Sequence, residues 1–210
     1  MTKDEAGAEP RRVWVICEGK HEQDGSLETL IRRLRDDAPT WEIECEPWKN
    51  PRGDRRRFRS TGQGDGVFKK LIASLIDGTE RGFDAVICVI DRDRDSTRPR
   101  SVAKAQGSDR VPLPRAFGVA IESYDAWFLA DEVALSGVAA RSIQRQPDPE
   151  ATRDPKTVAK ELCGETESDQ GVAAFYTELA KRVDLETLRQ RCPKGFAPWA
   201  DRVIAIRFAV

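Results

Sequence analysis

A short apolar run that ends abruptly in charged residues places the strongest constraint on how this chain folds. Residues 86–90 read Val-Ile-Cys-Val-Ile, and acids and bases then alternate from Asp91 to Asp95. A continuous run rich in β-branched residues is typical of a strand buried on both faces, and such strands belong to the parallel sheets of α/β proteins. Those sheets bind ligands beyond the carboxyl ends of their strands, which is where Asp91 and Asp93 would lie.

Two further apolar runs, at residues 12–17 and 116–121, also stop at an acid, Glu18 in the first case and Glu122 in the second. If all three runs are parallel strands, their acids emerge at one edge of one sheet. Carboxylates held close together repel each other unless a cation offsets their charge, and Mg²⁺ is a common solution. The alternative is a set of solvated, charged loops. The predicted metal ligands are Glu18, Asp91, Asp93 and Glu122.

Composition narrows the class of protein. The chain has 210 residues, of which 34% are charged and 39% hydrophobic, and its net charge is −1. This length predicts one generous domain, and the absence of an apolar run near about 20 residues argues against a membrane span. The polar N-terminus shows no signal peptide, which favours the cytoplasm. The five cysteines show no Cys-x-x-Cys spacing, and the single histidine, His21, argues against a His-based zinc site or a Ser-His-Asp triad.

Hydrophobic periodicity predicts an α/β, Rossmann-like, mainly parallel sheet of about four strands flanked by helices, with a helical C-terminal part. The predicted strands span residues 12–17, 41–48, 85–90 and 116–121. Residues 24–37 and 67–79 are predicted to be helical, residues 94–106 a polar loop with a short exposed helix, and Trp127 and Val133 inward-facing helical residues. The domain prediction is a disordered leader at 1–10, an α/β domain at 11–137, a linker or exposed loop at 138–155 and a helical extension at 156–210 packed on the same domain.

The segment 49–59 is dense in positive charge, with six cationic residues against Asp54 alone. One interpretation is a mobile, solvated loop. The other is a phosphate-binding strip on a chain that is otherwise nearly neutral. The predicted nucleic-acid-binding residues are Lys49, Arg52, Arg55, Arg56, Arg57 and Arg59.

The order of these motifs resembles the TOPRIM domain of topoisomerases, primases and OLD-type nucleases. The resemblance rests on Glu18 at the end of the first strand and on the Asp-Arg-Asp of residues 91–93. It is closer to a group of small stand-alone TOPRIM-like bacterial proteins of unknown function, because an Ile-Glu-x-x-x-Ala-Trp-x-Leu-Ala-Asp block stands at 121–131. Asp-Pro-Lys at 154–156 and Arg-Cys-Pro at 191–193 also resemble that group, so that the resemblance extends from 12 to about 205.

The resemblance implies a nuclease that cleaves phosphodiester bonds of DNA or RNA with Mg²⁺ or Mn²⁺. It implies that Glu18, Asp91 and Asp93 hold the metal, and Glu22 and Glu122 could complete a second metal position. The expected catalytic residues are Glu18, Asp91, Asp93, Glu22 and Lys20. Lys20 would offset charge that develops on the phosphate. Lys156 would either share that role or be a surface lysine, and His21 is either a base or a solvent-facing residue.

Partners and activity stay open at the level of sequence. TOPRIM-like nucleases of this kind often accompany an ATPase in bacterial defence against phage, so the resemblance implies an ATPase as a partner beside the nucleic acid. The alternative is a non-catalytic subunit that uses the same fold to bind nucleic acid or a partner protein. Whether the chain forms a homo-oligomer is not decided by the sequence.

Overall fold

A four-stranded, all-parallel sheet organises the described part of the molecule. The structure is a computed structural model, and it describes residues 9–19, 22–48, 66–163 and 169–208. The strand order is β2-β1-β3-β4, with β2 at one edge and β4 at the other. The strands are β1 (Arg12–Cys17), β2 (Glu42–Pro47), β3 (Ala85–Asp91) and β4 (Arg115–Ala120). The predicted Rossmann-like α/β fold with a helical C-terminal part is confirmed.

Helices connect and follow these strands. In chain order they are α1 (Leu27–Leu34), α2 (Gly66–Glu80), α3 (Arg98–Gln106), α4 (Asp125–Phe128), α5 (Glu132–Ala139), α6 (Pro155–Cys163), α7 (Asp169–Arg182), α8 (Leu185–Arg191) and α9 (Phe196–Ile204). An irregular helical turn, Glu22–Ser26, precedes α1, and the 3-10 turns Ala38–Thr40 and Pro149–Ala151 lie in loops. Among the described residues no helix is long and apolar enough to cross a membrane.

The sheet carries a hydrophobic core on each face, because successive side chains of a strand point to opposite sides. On one face Trp14 and Ile16 pack with apolar residues of α2 and α3. On the other face Val13 and Val15 pack with residues of α1, α7 and α9. Strands buried on both faces explain why the apolar runs in the sequence are continuous rather than alternating. They also leave the carboxyl ends of the strands as the place where polar groups can gather.

The C-terminal helices close the second face through an aromatic cluster. Trp127 is fully buried, as predicted, and its ring lies 5.2 Å from those of both Phe196 and Trp199. Gly118 of β4 permits the close approach of α9, since a Cβ at this position would lie 2.6 Å from Trp199 Cδ1. The C-terminal helices therefore pack directly on the sheet.

Two local predictions were wrong. The helix within residues 94–106 is not exposed, because Val102 and Ala105 of α3 are buried against the α2 side of the core. Val133 was expected to face inward, yet it is 77% exposed. Asp131 ends the preceding segment and caps α5 by accepting hydrogen bonds from the N–H groups of Val133 and Ala134, so the helical periodicity restarts there.

Candidate active site at the carboxyl edge of the sheet

The parallel sheet brings the strand-end acids to one edge. Glu18 follows β1, Asp91 ends β3, and Glu122 lies two residues after β4. The two central strands β1 and β3 pair directly, with Cys17 opposite Val89, and Glu18 Oε2 accepts a hydrogen bond of 2.8 Å from the Asp91 N–H. The main chain of Asp93 in turn donates to the Glu122 carbonyl at 3.1 Å. These contacts join all four predicted metal ligands in one region.

Asp91 is held in a position where its charge is costly. Its Oδ1 accepts a hydrogen bond of 2.7 Å from the Tyr124 N–H, which favours the ionised form. Burial and the neighbouring charge of Glu22 outweigh that bond and raise the pKa of Asp91 to about 8. A carboxyl group with a pKa near neutrality at a strand end is typical of functional sites.

Glu22 is the most unusual acid of the site. It is only 3% exposed, and its Oε2 is buried with no hydrogen-bond partner within the described ranges. The carboxylate lies against Gly19, where a Cβ would come within 2.3 Å of Oε2. Burial, chiefly, raises the pKa of Glu22 to about 7, and the charge of Asp125 adds to the effect. Backbone N–H groups of Gly19 and Glu22 favour the ionised form of this carboxyl group, but they do not offset the effect of burial on its pKa.

Asp125 is a further acid of this site, and sequence reasoning missed it. It is buried at the start of α4, and its carboxylate accepts hydrogen bonds from Ser123 Oγ at 3.0 Å and from the Tyr176 hydroxyl. Its charge raises the pKa of both Glu22 and Asp91. The available signal was an acid inside an apolar helical segment, which requires a buried partner. We call Glu18, Glu22, Asp91 and Asp125 the acid cluster.

Arginines already neutralise part of this edge. The Arg98 guanidinium lies 3.2 Å from both carboxylate oxygens of Glu18 and 3.1 Å from Asp93 Oδ2. Arg92 forms an ion pair with Glu122. Three of the four predicted metal ligands are thus paired with arginine, and no group of three or more metal-ligating side chains stands ready within the described ranges. Sequence reasoning assigned no role to either arginine.

An open pocket of about 410 Å³ adjoins the acids. Its lining includes the acids Asp91, Asp93 and Glu122 together with three cationic side chains. The cationic residues are Arg94, Arg153 and Lys156. Arg94 donates to the Arg153 carbonyl at 3.4 Å, which ties the loop after β3 to the segment that leads into α6. Among the described residues that line the pocket, none is aromatic.

The backbone around this pocket is strained. Asp93, Arg94 and Glu122 have φ angles of 48°, 60° and 60°, a region that side-chain-bearing residues rarely adopt. Each such residue costs on the order of 1 kcal/mol, and strain of this kind clusters at functional sites. All three residues lie in the loops after β3 and β4 and line the pocket.

Several predicted site residues lie outside the described residues. These are Lys20, His21, Lys49, Arg52, Arg55, Arg56, Arg57 and Arg59. Their roles stay predictions from the sequence. The same holds for the predicted leader, most of which also lies outside the described ranges.

Comparison of the chain with known proteins gave no match to any family model, curated protein or solved structure. What the site does must therefore be inferred from its own geometry and charge.

Proposed function

We propose that the chain is a TOPRIM-like, metal-dependent nuclease that cleaves phosphodiester bonds of DNA or RNA with Mg²⁺ or Mn²⁺. The observation that carries the proposal is the buried Glu22 carboxylate, whose Oε2 has no hydrogen-bond partner among the described residues. The charge of Glu22 helps to raise the pKa of Asp91, and the pKa of Glu22 is itself raised, chiefly by burial. Such an arrangement is costly without a cation, and a bound divalent cation would offset the cost.

The chemistry of the donors fits a hard divalent cation. The available groups are all carboxylate oxygens, which Mg²⁺ and Mn²⁺ prefer over the nitrogen and sulfur ligands of zinc sites. Glu18, Asp91 and Glu22 would hold the cation, and Asp93 and Glu122 would complete the set after leaving their arginine partners. A bound cation would polarise the phosphoryl group and make a water molecule more acidic.

The pocket supplies the substrate contacts. Arg94, Arg153 and Lys156 would bind the phosphates, because arginine and lysine pair with phosphate oxygens through charge-assisted hydrogen bonds. Four carboxylates, including Asp154, face these three cations in the pocket lining. A polyanion would therefore enter only once additional positive charge neutralises the acids. We expect phosphate binding here to depend on the metal.

The lining also bears on substrate class. Recognition of a nucleobase relies on stacking against aromatic rings or on apolar surface, and among the lining residues only Pro155 is apolar. The pocket is therefore suited to the sugar-phosphate backbone rather than to a base. We infer cleavage with little sequence preference, and the basic strip at 49–59 would add further backbone contacts.

A second function has an observation of its own in its favour. Arg98 forms ion pairs with Glu18 and Asp93. Arg92 forms an ion pair with Glu122, so that all three acids are already paired within the chain. Acids used in this way are structural, as expected of a non-catalytic subunit that binds nucleic acid or a partner protein. An ATPase partner and a role in defence against phage belong to the proposal through the TOPRIM resemblance, and a cytoplasmic location is proposed with them.

The decisive experiment compares wild type with Asp91→Asn. Asparagine keeps the size of the side chain and its acceptor for the Tyr124 N–H but removes the charge. Purified proteins are incubated with plasmid, single-stranded DNA and transfer RNA in Mg²⁺ or Mn²⁺, with and without an ATPase encoded beside the gene. Asp109→Asn is the matched control, because Asp109 is exposed and lies in the loop that leads into the start of β4, away from the carboxyl ends of the strands.

We expect wild type and Asp109→Asn to cleave and Asp91→Asn to fall to background. Equal cutting by wild type and Asp91→Asn would reject this site. Silence of wild type on every substrate, with metal binding intact, would favour the non-catalytic alternative.

A further inference from the structure

Arg98 occupies the space between the acids where a cation would bind. Its guanidinium contacts Glu18 and Asp93 at 3.1–3.2 Å and also donates to the Asp91 carbonyl oxygen. Its side chain is only 18% exposed. One positively charged group thus bridges the segments that follow β1 and β3. Its partners, Glu18, Asp91 and Asp93, are three of the residues that the proposed metal site would use.

Within its own segment, Arg98 Nε lies 4.0 Å from Asp95 Oδ2, but the helix itself does not favour a cation here. Arg98 is the first residue of α3, and the helix dipole disfavours a positive charge at a helix N-terminus. Thr97 provides no side-chain cap there, since its hydroxyl is bonded to Asp95 Oδ1 at 2.7 Å. The position of the guanidinium is therefore determined by the acids rather than by the helix.

We propose that Arg98 is a built-in counter-cation that competes with the divalent metal, so that metal binding requires its guanidinium to leave Glu18 and Asp93. This inference rests on the proposed function and describes how that site is regulated. One guanidinium leaves and one metal ion binds at the same carboxylate oxygens.

Exchange follows from geometry and charge. A guanidinium nitrogen within 3.2 Å of the Glu18 oxygens uses the lone pairs that a metal would need at about 2.0–2.1 Å. Two cations that close also repel each other strongly in a partly buried setting. In the resting protein Arg98 limits the repulsion among the acids, and a cation of higher charge replaces it when the metal concentration is sufficient.

The test measures metal affinity directly. Mn²⁺ is titrated calorimetrically into wild type, Arg98→Gln, Arg98→Lys and Arg100→Gln at neutral pH. Arg100 is the matched control, because it lies on the same helix with the same charge and is exposed. Far-ultraviolet circular dichroism and thermal unfolding verify that each variant is folded.

Removal of the competitor should tighten Mn²⁺ binding. We expect Kd to fall about tenfold or more in Arg98→Gln, which corresponds to about 1.4 kcal/mol. Arg98→Lys should also bind more tightly than wild type, by a smaller factor, because lysine keeps the positive charge while its ammonium is more strongly hydrated and less preorganised than the guanidinium. Arg100→Gln should stay within about twofold of wild type, because its charge makes no contact with the acids.

The outcomes separate this inference from the proposed function. Mn²⁺ binding by wild type with equal or weaker affinity in Arg98→Gln would overturn the exchange and leave the metal site standing. Binding by Arg98→Gln but not by wild type would support both. No binding by any variant would overturn both. If Arg98→Gln does not fold, the comparison of Arg98→Lys with wild type decides, and equal or weaker affinity counts against exchange.

Discussion

Two groups of charged residues next to the sheet differ in how far their charges are paired with opposite charges. Near the start of β1, Arg12 pairs with Glu44 at 2.7 Å, and Arg81 pairs with Glu44 and Glu46 at 3.4 and 2.8 Å. We call these four residues the paired network. Acids and bases alternate there, and all four side chains are partly exposed. The network resembles an ordinary protein surface on which each charge has a partner.

The acid cluster at the carboxyl edge has the reverse character. Its acids lie close to one another, Glu22 and Asp125 are buried, and Glu22 and Asp91 both have a pKa raised to near neutrality. Arg98 compensates only Glu18 among the four. The difference teaches that charge density alone does not identify a site. What marks the acid cluster is charge that the fold buries without compensating it, at a strained pocket.

The largest expected difference between the two regions concerns Glu22. Glu22→Gln should lower both Mn²⁺ affinity and cleavage about 100-fold, because it removes a buried, negatively charged ligand from the proposed metal site. Glu46→Gln in the paired network should leave both unchanged. Calorimetry and the cleavage assay measure the two effects. Equal behaviour of the two variants would remove the functional distinction between the regions.

Cations supply the second test. Replacing Arg55, Arg56 and Arg57 together by Gln should weaken nucleic-acid binding about tenfold or more and reduce the salt slope of log K by about 2–3, since each phosphate contact releases counterions. Arg81→Gln should leave the slope unchanged, because carboxylates already occupy Arg81. Fluorescence anisotropy over a salt series measures both. An unchanged slope in the triple variant would make the strip a solvated loop.

The third test follows the pH dependence of stability. The pKa of Asp91 is raised from 3.8 to about 8, so the metal-free folded state binds more protons than the unfolded state between those values. The contribution of this group to the free energy of unfolding is therefore highest below about pH 4 and falls as pH rises toward 8.

Asp91→Asn lacks that loss. In metal-free buffer its stability relative to wild type should increase with pH, by at least about 1 kcal/mol between pH 5 and pH 8, the equivalent of one pKa unit. Urea unfolding at several pH values measures the difference. Asp109→Asn should show no such trend. A difference between Asp91→Asn and wild type that stays constant with pH would show that Asp91 is an ordinary carboxylate.

The smallest effect belongs to the paired network. Glu44→Gln should cost less than about 1 kcal/mol of stability, and added salt should shrink the loss, because partly exposed ion pairs contribute little and are screened. Glu42→Gln on the same strand, whose side chain is exposed, serves as the control. A loss above about 2 kcal/mol would mean that the network is a structural centre and would weaken the contrast with the acid cluster.

The three apolar runs, together with the alternating segment at 41–48, determined the four-stranded parallel sheet, and through it the meeting of Glu18 and Asp91 at one edge. This was possible because strands buried on both faces have a strong local signature, and because parallel strands all end on the same side. The buried role of Trp127 was equally readable. The exposure of Val133 could not be predicted, since it depends on where α5 begins. The burial of α3 could not be predicted either, since it depends on the residues that pack against this helix.

Only the tertiary structure decided the electrostatics of the site. Arg98 reaches Glu18 across 80 residues of sequence, and the Tyr176 hydroxyl reaches Asp125 across 51. Lys156 faces the same pocket as Asp93 because α6 packs near the end of the sheet. No periodicity records such approaches, because they result from helix packing and from the loss of water around each charge. A sequence can show which acids share an edge, but burial and long-range partners determine which of them carry an uncompensated charge.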